Sequence, residues 1–234
     1  MPLPGLPTQA IVLAAGRGER LRPLTDHLPK PLVSVGGQCL LDHHLFRLRS
    51  AGITHCVINI AHLGALIETH VGDGARYNLQ ISFSHEPPGA LETGGGIKSA
   101  LPLLRAQPFI VINADIFCDF EFANLRYCAT SLAHLVLVEN PPHHPQGDFA
   151  LCGEQVTNES APRYTFSGIA FYDPKFFELT PTVARFPLAP LLRQGAADGL
   201  VSGQLFRGRW FDIGTATRLA AARLSNTSQL LKTI

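Results

Sequence analysis

The sequence carries little charge, and almost no excess of one sign. Only 16% of its 234 residues are Asp, Glu, Lys or Arg, and their formal charges sum to +1. A protein that binds nucleic acid through a broad basic surface needs a larger and more one-sided charge. Because 46% of the residues are hydrophobic, the chain has enough apolar area for a folded core. We therefore expect a globular protein whose partners do not include nucleic acid.

The sequence also lacks a long apolar run and any close pair of cysteines. No uninterrupted apolar stretch approaches the roughly 20 residues that span a bilayer. The Pro-rich start has neither the basic region nor the apolar region of a secretory signal. The five cysteines are scattered singly, a usage typical of buried thiols in a reducing compartment. We expect a soluble cytoplasmic protein that has no membrane partner.

Short apolar runs and helical patterns alternate through the first half of the sequence. Apolar runs predict strands, and apolar residues at a helical spacing predict helices. In chain order these are strand 9–15, helix 40–50, strand 55–60, helix 63–71, strand 79–83, helix 95–104 and strand 108–113. Because units of this kind form right-handed crossovers between parallel strands, the pattern predicts an α/β fold.

Strand signals predominate after about residue 130. The remaining predicted elements are strand 133–139, a turn-rich loop at 140–148, strand 163–172 and helices at 186–199 and 216–224. No repeat, low-complexity tract or linker divides the chain. We therefore expect a single domain with a mixed, mostly parallel central sheet flanked by helices.

The loop after the first predicted strand is rich in glycine and positive charge. Two standard phosphate-binding patterns fail there, because GxGxxG and the P-loop, started at Gly16, both require a glycine where Leu21 stands. The loop still combines a permissive backbone with cations, at Gly16, Gly18, Arg17, Arg20, Arg22 and Lys30. Since open α/β sheets bind ligands at the carboxyl ends of their strands, we predict a site for a phosphorylated ligand here.

The same loop carries a resemblance to a known family. The string Leu13-Ala-Ala-Gly-Arg-Gly-Glu-Arg-Leu-Arg-Pro-Leu-Thr25, followed by Pro29-Lys-Pro-Leu32, resembles the signature of the sugar-1-phosphate nucleotidyltransferases. The resemblance continues through Gly94-Gly-Gly96, Asn113-Ala-Asp115 and Trp210-Phe-Asp-Ile-Gly214, so it covers nearly the whole chain. It implies a Rossmann-like domain that converts a nucleoside triphosphate and a sugar 1-phosphate to a nucleotide-sugar and pyrophosphate, with Mg²⁺ as cofactor.

The resemblance also implies the roles of four charged residues. Arg20 would hold the leaving pyrophosphate, and Lys30 would bridge the α-phosphate and the sugar phosphate. Asp115 and Asp212 would bind Mg²⁺. The chemistry agrees, because a sugar phosphate is mostly dianionic at neutral pH and attacks without a general base. Catalysis must then hold two anions together and stabilise the charge on the leaving group.

The remaining expected site residues fall into two sets. The nucleotide-binding set is Leu13, Ala14, Ala15, Gly16, Arg17, Gly18, Glu19, Arg20, Glu92, Thr93, Gly94 and Gly95. The sugar-binding set is Asn113, Asp148, Glu154, Thr165, Ser167 and Gly168. We expect a nucleotide-binding half of the domain at about residues 9–115 and a sugar-binding half at about residues 116–234.

Several assignments stay open at this point. Asp119 competes with Asp115 as a metal ligand, because both follow the apolar run 109–112. Ala114 stands where the family more often has glycine, and we expect only a small adjustment of the backbone. The pair His143-His144 lies in a Pro-rich loop without other ligand types at a regular spacing, which favours a solvated loop over a metal site.

Other segments resemble one branch of the family, whose members transfer the uridylyl group of UTP to N-acetylmuramic acid 1-phosphate in cell-wall (peptidoglycan) recycling. These segments are Leu91–Gly96, Ala133–Val138, Gly147–Phe149, Thr165–Gly168 and Leu188–Arg193. The lactyl carboxylate of that acceptor needs a cation or N–H donors, and Arg163 and Arg193 are candidates. The alternatives are a mannose-1-phosphate guanylyltransferase, a glucose-1-phosphate uridylyl- or thymidylyltransferase, and a non-catalytic nucleotide-sugar sensor.

Overall fold

Strands and helices alternate in the first half of the chain, as the sequence pattern predicts. The computed structural model describes residues 7–87, 91–125, 130–159, 161–178, 180 and 184–230. The first elements are β1 (Gln9–Leu13), β2 (Ser34–Val35), β3 (Gln38–Cys39), α1 (Leu40–Ser50), β4 (His55–Ile60), α2 (Gly64–Val71), β5 (Gln80–His85), α3 (Glu92–Ala100) and β6 (Phe109–Asn113). The predicted helix 40–50 and strand 55–60 agree with α1 and β4 at both ends.

The second half contains more strands than its sequence predicts. Its elements are β7 (Ile116–Cys118), β8 (Ala133–Val138), β9 (Phe149–Cys152), β10 (Gln155–Thr157), β11 (Arg163–Tyr172), α4 (Leu188–Ala197), β12 (Val201–Phe206), β13 (Trp210–Asp212) and α5 (Ala216–Leu230). The predicted strand 163–172 agrees with β11 at both ends. The short strands β7, β9, β10 and β13, together with β12, have no predicted counterpart.

Nine strands form one mixed sheet in the order β5-β4-β1-β6-β11-β8-β12-β10-β9. The strands β5, β4, β1 and β6 are parallel, with Ile11 of β1 opposite Val57 on one side and Val111 on the other. β11 is antiparallel to both of its neighbours β6 and β8, and β8 is parallel to β12. The structure thus confirms an α/β fold with a mixed central sheet, in which the continuous run of parallel strands is confined to the first half.

The central strands are buried on both faces, and successive side chains enter different parts of the core. In β1, Ala10 and Val12 pack into a cluster with residues of α1 and α2, whereas Ile11 packs into a cluster with residues of α3 and α4. This follows from the alternation of side chains along a strand. Helices cover both faces of these strands, which explains why the strands are rich in apolar residues.

The cysteines correct one sequence-based prediction. Cys39 and Cys56 are buried free thiols and Cys118 is partly buried, but Cys152 is exposed. It lies at the end of β9, the last strand in the order of the sheet. Cys128 lies outside the described residues. Within the described part of the chain, no helix has both the length and the apolar character needed to cross a membrane.

Candidate active site

An open cavity of about 250 Å³ lies where the parallel strands β1, β4 and β6 end. Its lining comes from the loops that follow these strands and from the start of α3, and comprises Leu13, Ala14, Ala15, Gly16, Gly18, Lys30, Pro31, Asn59, Glu86, Glu92, Thr93, Asn113, Ala114 and Asp115. Ligands of open α/β sheets bind at this edge. Seven of the residues predicted for nucleotide binding line the cavity, together with Lys30, Asn113 and Asp115.

Contacts with Thr25 and His62 fix the conformation of the loop after β1. Gly18 has a φ of 71°, a left-handed conformation that favours glycine. Its carbonyl accepts a hydrogen bond from Thr25 Oγ1 at 2.9 Å, and the Thr25 carbonyl lies 3.1 Å from His62 Nε2. Gly16 is exposed, and a Cβ added there would meet no atom within 4 Å. The backbone at Gly16 is thus accessible to a phosphate group.

The cations of the loop have different surroundings. Lys30 extends into the cavity, where its Nζ lies 2.5 Å from Oδ2 of Asp115. Arg17 and Arg22 are exposed and pair with neighbouring carboxylates, Arg17 with Glu19 at 2.8 Å and Arg22 with Asp26 at 2.8 Å. The structure therefore brings Lys30 to the cavity, while Arg17 and Glu19 point away from it as a surface ion pair.

A two-stranded ribbon brings the two predicted metal ligands together. β7 and β13 are antiparallel, with Asp212 opposite Ile116, the neighbour of Asp115. The backbone N–H of Ile213 donates to the carbonyl of Asp115 at 2.7 Å. The competing candidate Asp119 accepts hydrogen bonds from the backbone N–H of Arg209 at 2.8 Å and from its Nε at 3.0 Å. Asp119 thus has a structural partner at the far end of the ribbon.

Asp212 is surrounded by cationic and imidazole groups. Its Oδ2 accepts from Nη1 of Arg218 at 2.5 Å, and its Oδ1 lies 3.2 Å from Nε2 of His143. His143 is 42% exposed, as expected of a solvated loop, but the Pro-rich segment also brings its imidazole to Asp212 of β13. A Cβ added at Gly214 would lie 2.8 Å from Cζ of Arg218 and 3.1 Å from Nη2 of Arg20. Arg20 thus reaches the Asp212 side of the site.

The two carboxylates fit a hard divalent cation. Asp115 and Asp212 offer oxygen ligands from adjacent strands, and basic groups already compensate both charges, which a bound cation would also do. A cluster of Cys39, Asp42 and His70 elsewhere fits Mg²⁺ poorly. Burial raises the pKa of the Cys39 thiol to about 12, and Arg76 Nη2 already contacts Oδ1 of Asp42 at 2.7 Å.

Two cavity residues were not predicted from the sequence. Asn59 is the last but one residue of β4, and its Oδ1 accepts from the backbone N–H of Ala14 at 2.6 Å. Its Nδ2 donates to Oε1 of Glu86 at 2.5 Å, and Oε2 of Glu86 accepts from the N–H of Leu91 at 2.7 Å. This network ties the loops after β1, β4 and β5 together. The sequence offers one indication of these two residues, because each is a polar residue near the end of an apolar run.

The glycines at the start of α3 are closely packed, and their contact with a nucleotide stays a prediction. Gly94 and Gly95 are buried, and neither lines the cavity, whereas Glu92 and Thr93 do. A Cβ added at Gly94 would lie 2.6 Å from Cδ2 and 2.9 Å from the carbonyl oxygen of Phe186. Gly94 therefore allows α3 to approach the segment before α4.

The residues predicted to bind the sugar are only partly brought together. Asn113 lines the cavity, and a Cβ added at Gly168 would lie 2.6 Å from its Nδ2. Thr165 and Ser167 are buried in β11, where Thr165 Oγ1 donates to Asn140 Oδ1 at 2.9 Å. These positions form the wall behind the cavity, and their contact with a sugar stays a prediction.

Asp148 and Glu154 lie apart from the cavity lining. Oδ2 of Asp148 accepts from the N–H of Phe166 at 2.8 Å, and its Oδ1 lies 3.0 Å from Nε2 of His144. Asp148 thus fixes the 140–148 loop to β11. Glu154 lies on the exposed turn between β9 and β10 and lines a different cavity, next to Gln204. Its place on the outer hairpin argues against the expected sugar contact.

Helix α1 supports the ribbon from behind. His44 of α1 is buried, and burial lowers its pKa to about 4, even though a hydrogen bond with the backbone of Ile116 favours the protonated form. One turn later, Nη1 of Arg47 donates to the carbonyl of Cys118. These two side chains fix the strand that directly follows Asp115.

A glycine-containing loop, a lysine next to a carboxylate and a second carboxylate at the strand ends define a site for transferring a phosphorylated group. The family model described as nucleotidyl transferase matches residues 9–152. The chain belongs to this family, and it is a sugar-1-phosphate nucleotidyltransferase that takes a nucleoside triphosphate and a sugar 1-phosphate as substrates. Enzymes of the family use a divalent metal.

Comparison with individual proteins agrees with this assignment. The chain is 48% identical to the N-acetylmuramate alpha-1-phosphate uridylyltransferase of Neisseria meningitidis serogroup B, over 92% of this chain and 96% of that protein. It is 36% identical to the protein of the same name from Caulobacter vibrioides, over 94% and 98%. It is 28% identical to mannose-1-phosphate guanyltransferase beta-A of Xenopus laevis, over 88% of this chain and 61% of that protein.

A solved structure supports the fold. The inositol-1-phosphate CTP transferase from T. maritima superposes with a TM-score of 0.76, over 94% of this chain and 95% of that chain. The two sequences are 16% identical, so the likeness concerns the fold alone.

Proposed function

We propose that the protein converts UTP and N-acetylmuramic acid 1-phosphate to UDP-N-acetylmuramic acid and pyrophosphate, in the cytoplasm, as a step of peptidoglycan recycling. The observation that carries the chemistry is the contact of Lys30 with Asp115 in the cavity, beside the loop that contains Gly16. The choice of substrates is supported by the two bacterial relatives of nearly the same length that carry this activity in their names.

The proposed reaction is a displacement at the α-phosphorus of UTP. An oxygen of the sugar phosphate forms a bond to this phosphorus, and the bond to the oxygen bridging the α- and β-phosphates breaks. The electron pair leaves with pyrophosphate, and no proton has to be removed from the dianionic nucleophile. The protein therefore acts by positioning the two anions and by stabilising charge.

Each charged residue has one part in this scheme. Lys30 lies between the nucleotide loop and Asp115, so its ammonium contacts the α-phosphate and the sugar phosphate. Arg20 holds the leaving pyrophosphate. Asp115 and Asp212 would hold Mg²⁺, which when bound neutralises phosphate charge. Residues of about 9–115 bind the nucleotide in this proposal, and residues of about 116–234 supply the sugar side.

The alternatives have weaker support. The guanylyltransferase of Xenopus laevis is less similar, and this chain spans only 61% of its length. A glucose-1-phosphate uridylyl- or thymidylyltransferase would use the same charged residues with a different acceptor. A non-catalytic sensor has no need for all of Arg20, Lys30, Asp115 and Asp212, which are all present.

The test is pyrophosphate release in the presence of Mg²⁺, measured over a grid of nucleoside triphosphates and sugar 1-phosphates. We expect the highest kcat/KM for UTP with N-acetylmuramic acid 1-phosphate. A maximum at another pair would keep the reaction and overturn the substrates. No release with any pair, together with tight nucleotide binding, would favour the sensor.

A further inference from the structure

A recess with one charged end is lined in part by Asp212 and is separate from the cavity that contains Lys30. Pro142 and Trp210 contribute apolar surface to it, and His143, Asp212 and Arg218 contribute its charged end. The indole Nε1 of Trp210 donates to the carbonyl of Ser167 at 3.0 Å, which anchors the recess to β11. We propose that Arg218, assisted by His143, binds the lactyl carboxylate of the sugar acceptor. This inference rests on the function proposed above.

The guanidinium of Arg218 has donors that the described residues leave unused. Its Nη1 contacts Oδ2 of Asp212 at 2.5 Å and Nε2 of His143 at 2.6 Å. Its Nε is buried and has no hydrogen-bond partner within the described residues. A guanidinium carries five N–H donors in one plane, and a buried donor without an acceptor is unfavourable. An acceptor that enters the recess would supply that missing partner.

The balance of charge at this end of the site also favours an anion. Asp212 is the partner of Arg218, but the side chain of Arg20 approaches the same place next to Gly214. Two guanidinium groups therefore lie near one carboxylate. If Asp212 also holds a divalent cation, positive charge is in still greater excess. A planar oxyanion bonded by two N–H groups is the ligand that arginine binds best.

Two anions could supply this oxyanion, namely the carboxylate of the acceptor and the leaving pyrophosphate. The position favours the carboxylate, because the recess opens between β13 and the 140–148 loop and is joined to β11, where the sugar-side residues lie. Arg218 lines this recess and does not line the cavity that contains Lys30 and the glycines of the nucleotide loop. Arg20, which belongs to the nucleotide loop, is the cation assigned to pyrophosphate.

The two arginines that the sequence suggests for the lactyl carboxylate lie outside the recess that Arg218 lines. Arg163 donates through Nη2 to the carbonyl of Asp148 at 2.5 Å. Arg193 is exposed on α4, where its carbonyl accepts from Asn158 Nδ2 at 2.8 Å. Neither residue lines the recess or the cavity of Lys30. Arg218 therefore replaces both as the candidate for this role.

The experiment compares two acceptors that differ only in charge, N-acetylmuramic acid 1-phosphate and its lactyl amide. In the wild type we expect kcat/KM to be at least about tenfold higher for the acid, the range of one charge-assisted hydrogen bond. In Arg218→Ala this ratio should fall to about one. The matched control is Arg207→Ala, because Arg207 lies at the rim of the same recess but is exposed and pairs with Glu139 at 2.6 Å. It should keep the wild-type ratio.

Further measurements separate the possible outcomes. If Arg218→Ala slows both acceptors and keeps the ratio, Arg218 acts on Asp212, and the inference is overturned. A rise in the inhibition constant of pyrophosphate in this variant, with the ratio unchanged, would assign Arg218 to pyrophosphate instead. If Arg218→Ala does not fold, Arg218→Lys and His143→Gln are compared, and an unchanged ratio in both overturns the inference.

Turnover measurements on the wild type distinguish a failure of this inference from a failure of the proposed function. Turnover of N-acetylmuramic acid 1-phosphate without any preference for the acid over the amide would overturn the carboxylate site and leave the proposed function intact. Turnover of a different sugar 1-phosphate, and of neither acid nor amide, would overturn the proposed function itself.

Discussion

Nζ of Lys30 lies 2.5 Å from Oδ2 of Asp115, although 85 residues separate them in the chain. Only 11% of the Lys30 side chain is exposed, so its ammonium is largely removed from water. The contact joins the loop after β1 to the end of β6. In this way the residue proposed to stabilise phosphate charge and a residue proposed to hold the cation are fixed relative to each other.

Replacing Lys30 should therefore affect catalysis much more than folding. We expect Lys30→Ala to lower kcat by about 10²- to 10³-fold, the effect of removing one preorganised charge from such a site. The measurement is steady-state pyrophosphate release together with thermal unfolding. Lys175→Ala is the control, because Lys175 is exposed on the turn after β11. Normal turnover by a folded Lys30→Ala protein would contradict the assigned role.

The paired carboxylates should control the response to metal. Asp115→Asn and Asp212→Asn each remove one anionic ligand, so we expect the Mg²⁺ concentration at half-maximal rate to rise by roughly tenfold or more. Asp119→Asn is the matched control, since Asp119 bonds to Arg209 at the other end of the ribbon. An unchanged Mg²⁺ titration in Asp212→Asn would exclude that residue as a ligand.

Two glycines should respond to the same substitution in different ways. In Gly16→Ala the new methyl group lies in open space, so we expect an unchanged melting temperature and a higher KM for the nucleotide. In Gly94→Ala the methyl group would overlap Phe186, so we expect a loss of about 1–3 kcal/mol in the free energy of unfolding. Chemical denaturation and nucleotide kinetics of both variants check this, and equal stability of the two would refute the packing role of Gly94.

His44 should make stability depend on pH. The pKa of His44 is lowered from 6.5 to about 4 in the folded protein, chiefly by burial. Between these values the unfolded chain binds a proton that the folded chain does not, so stability falls as the pH is lowered from 6.5 to 4. The loss amounts to about 3 kcal/mol.

The variant His44→Gln should lack this part of the pH dependence. Unfolding by urea at several pH values between 8 and 4 measures it. The difference between the two proteins above pH 7, where the imidazole is neutral in both states, reports packing alone and serves as the internal control. Parallel curves for wild type and variant down to pH 4 would show that His44 does not titrate as described.

Elements with a local signal were predicted well from the sequence. Helix α1 and strands β4 and β11 agree with their predicted bounds because each has its own apolar pattern over six or more residues. Strands β7 and β13 have three residues each, too few for a pattern. They exist because they pair with each other, which no local property of either segment specifies.

The same limit applies to the site. Residues next to an apolar run were predicted, whereas contacts between distant segments were not. The loop after β1 and Asp115 follow apolar runs, so their position at one edge of the sheet could be expected. The contact of His143 with Asp212 could not, because it depends on how a Pro-rich loop folds back across the sheet. Asn59 and Glu86 had a signal at the strand ends, but their pairing becomes visible only in the structure.

The ribbon of β7 and β13 has a consequence for protein synthesis. Asp212 follows Asp115 by 97 residues, so the ribosome completes the phosphate-binding loop and the first carboxylate long before the second. The two proposed metal ligands therefore become neighbours only after β13 has been made and has paired with β7.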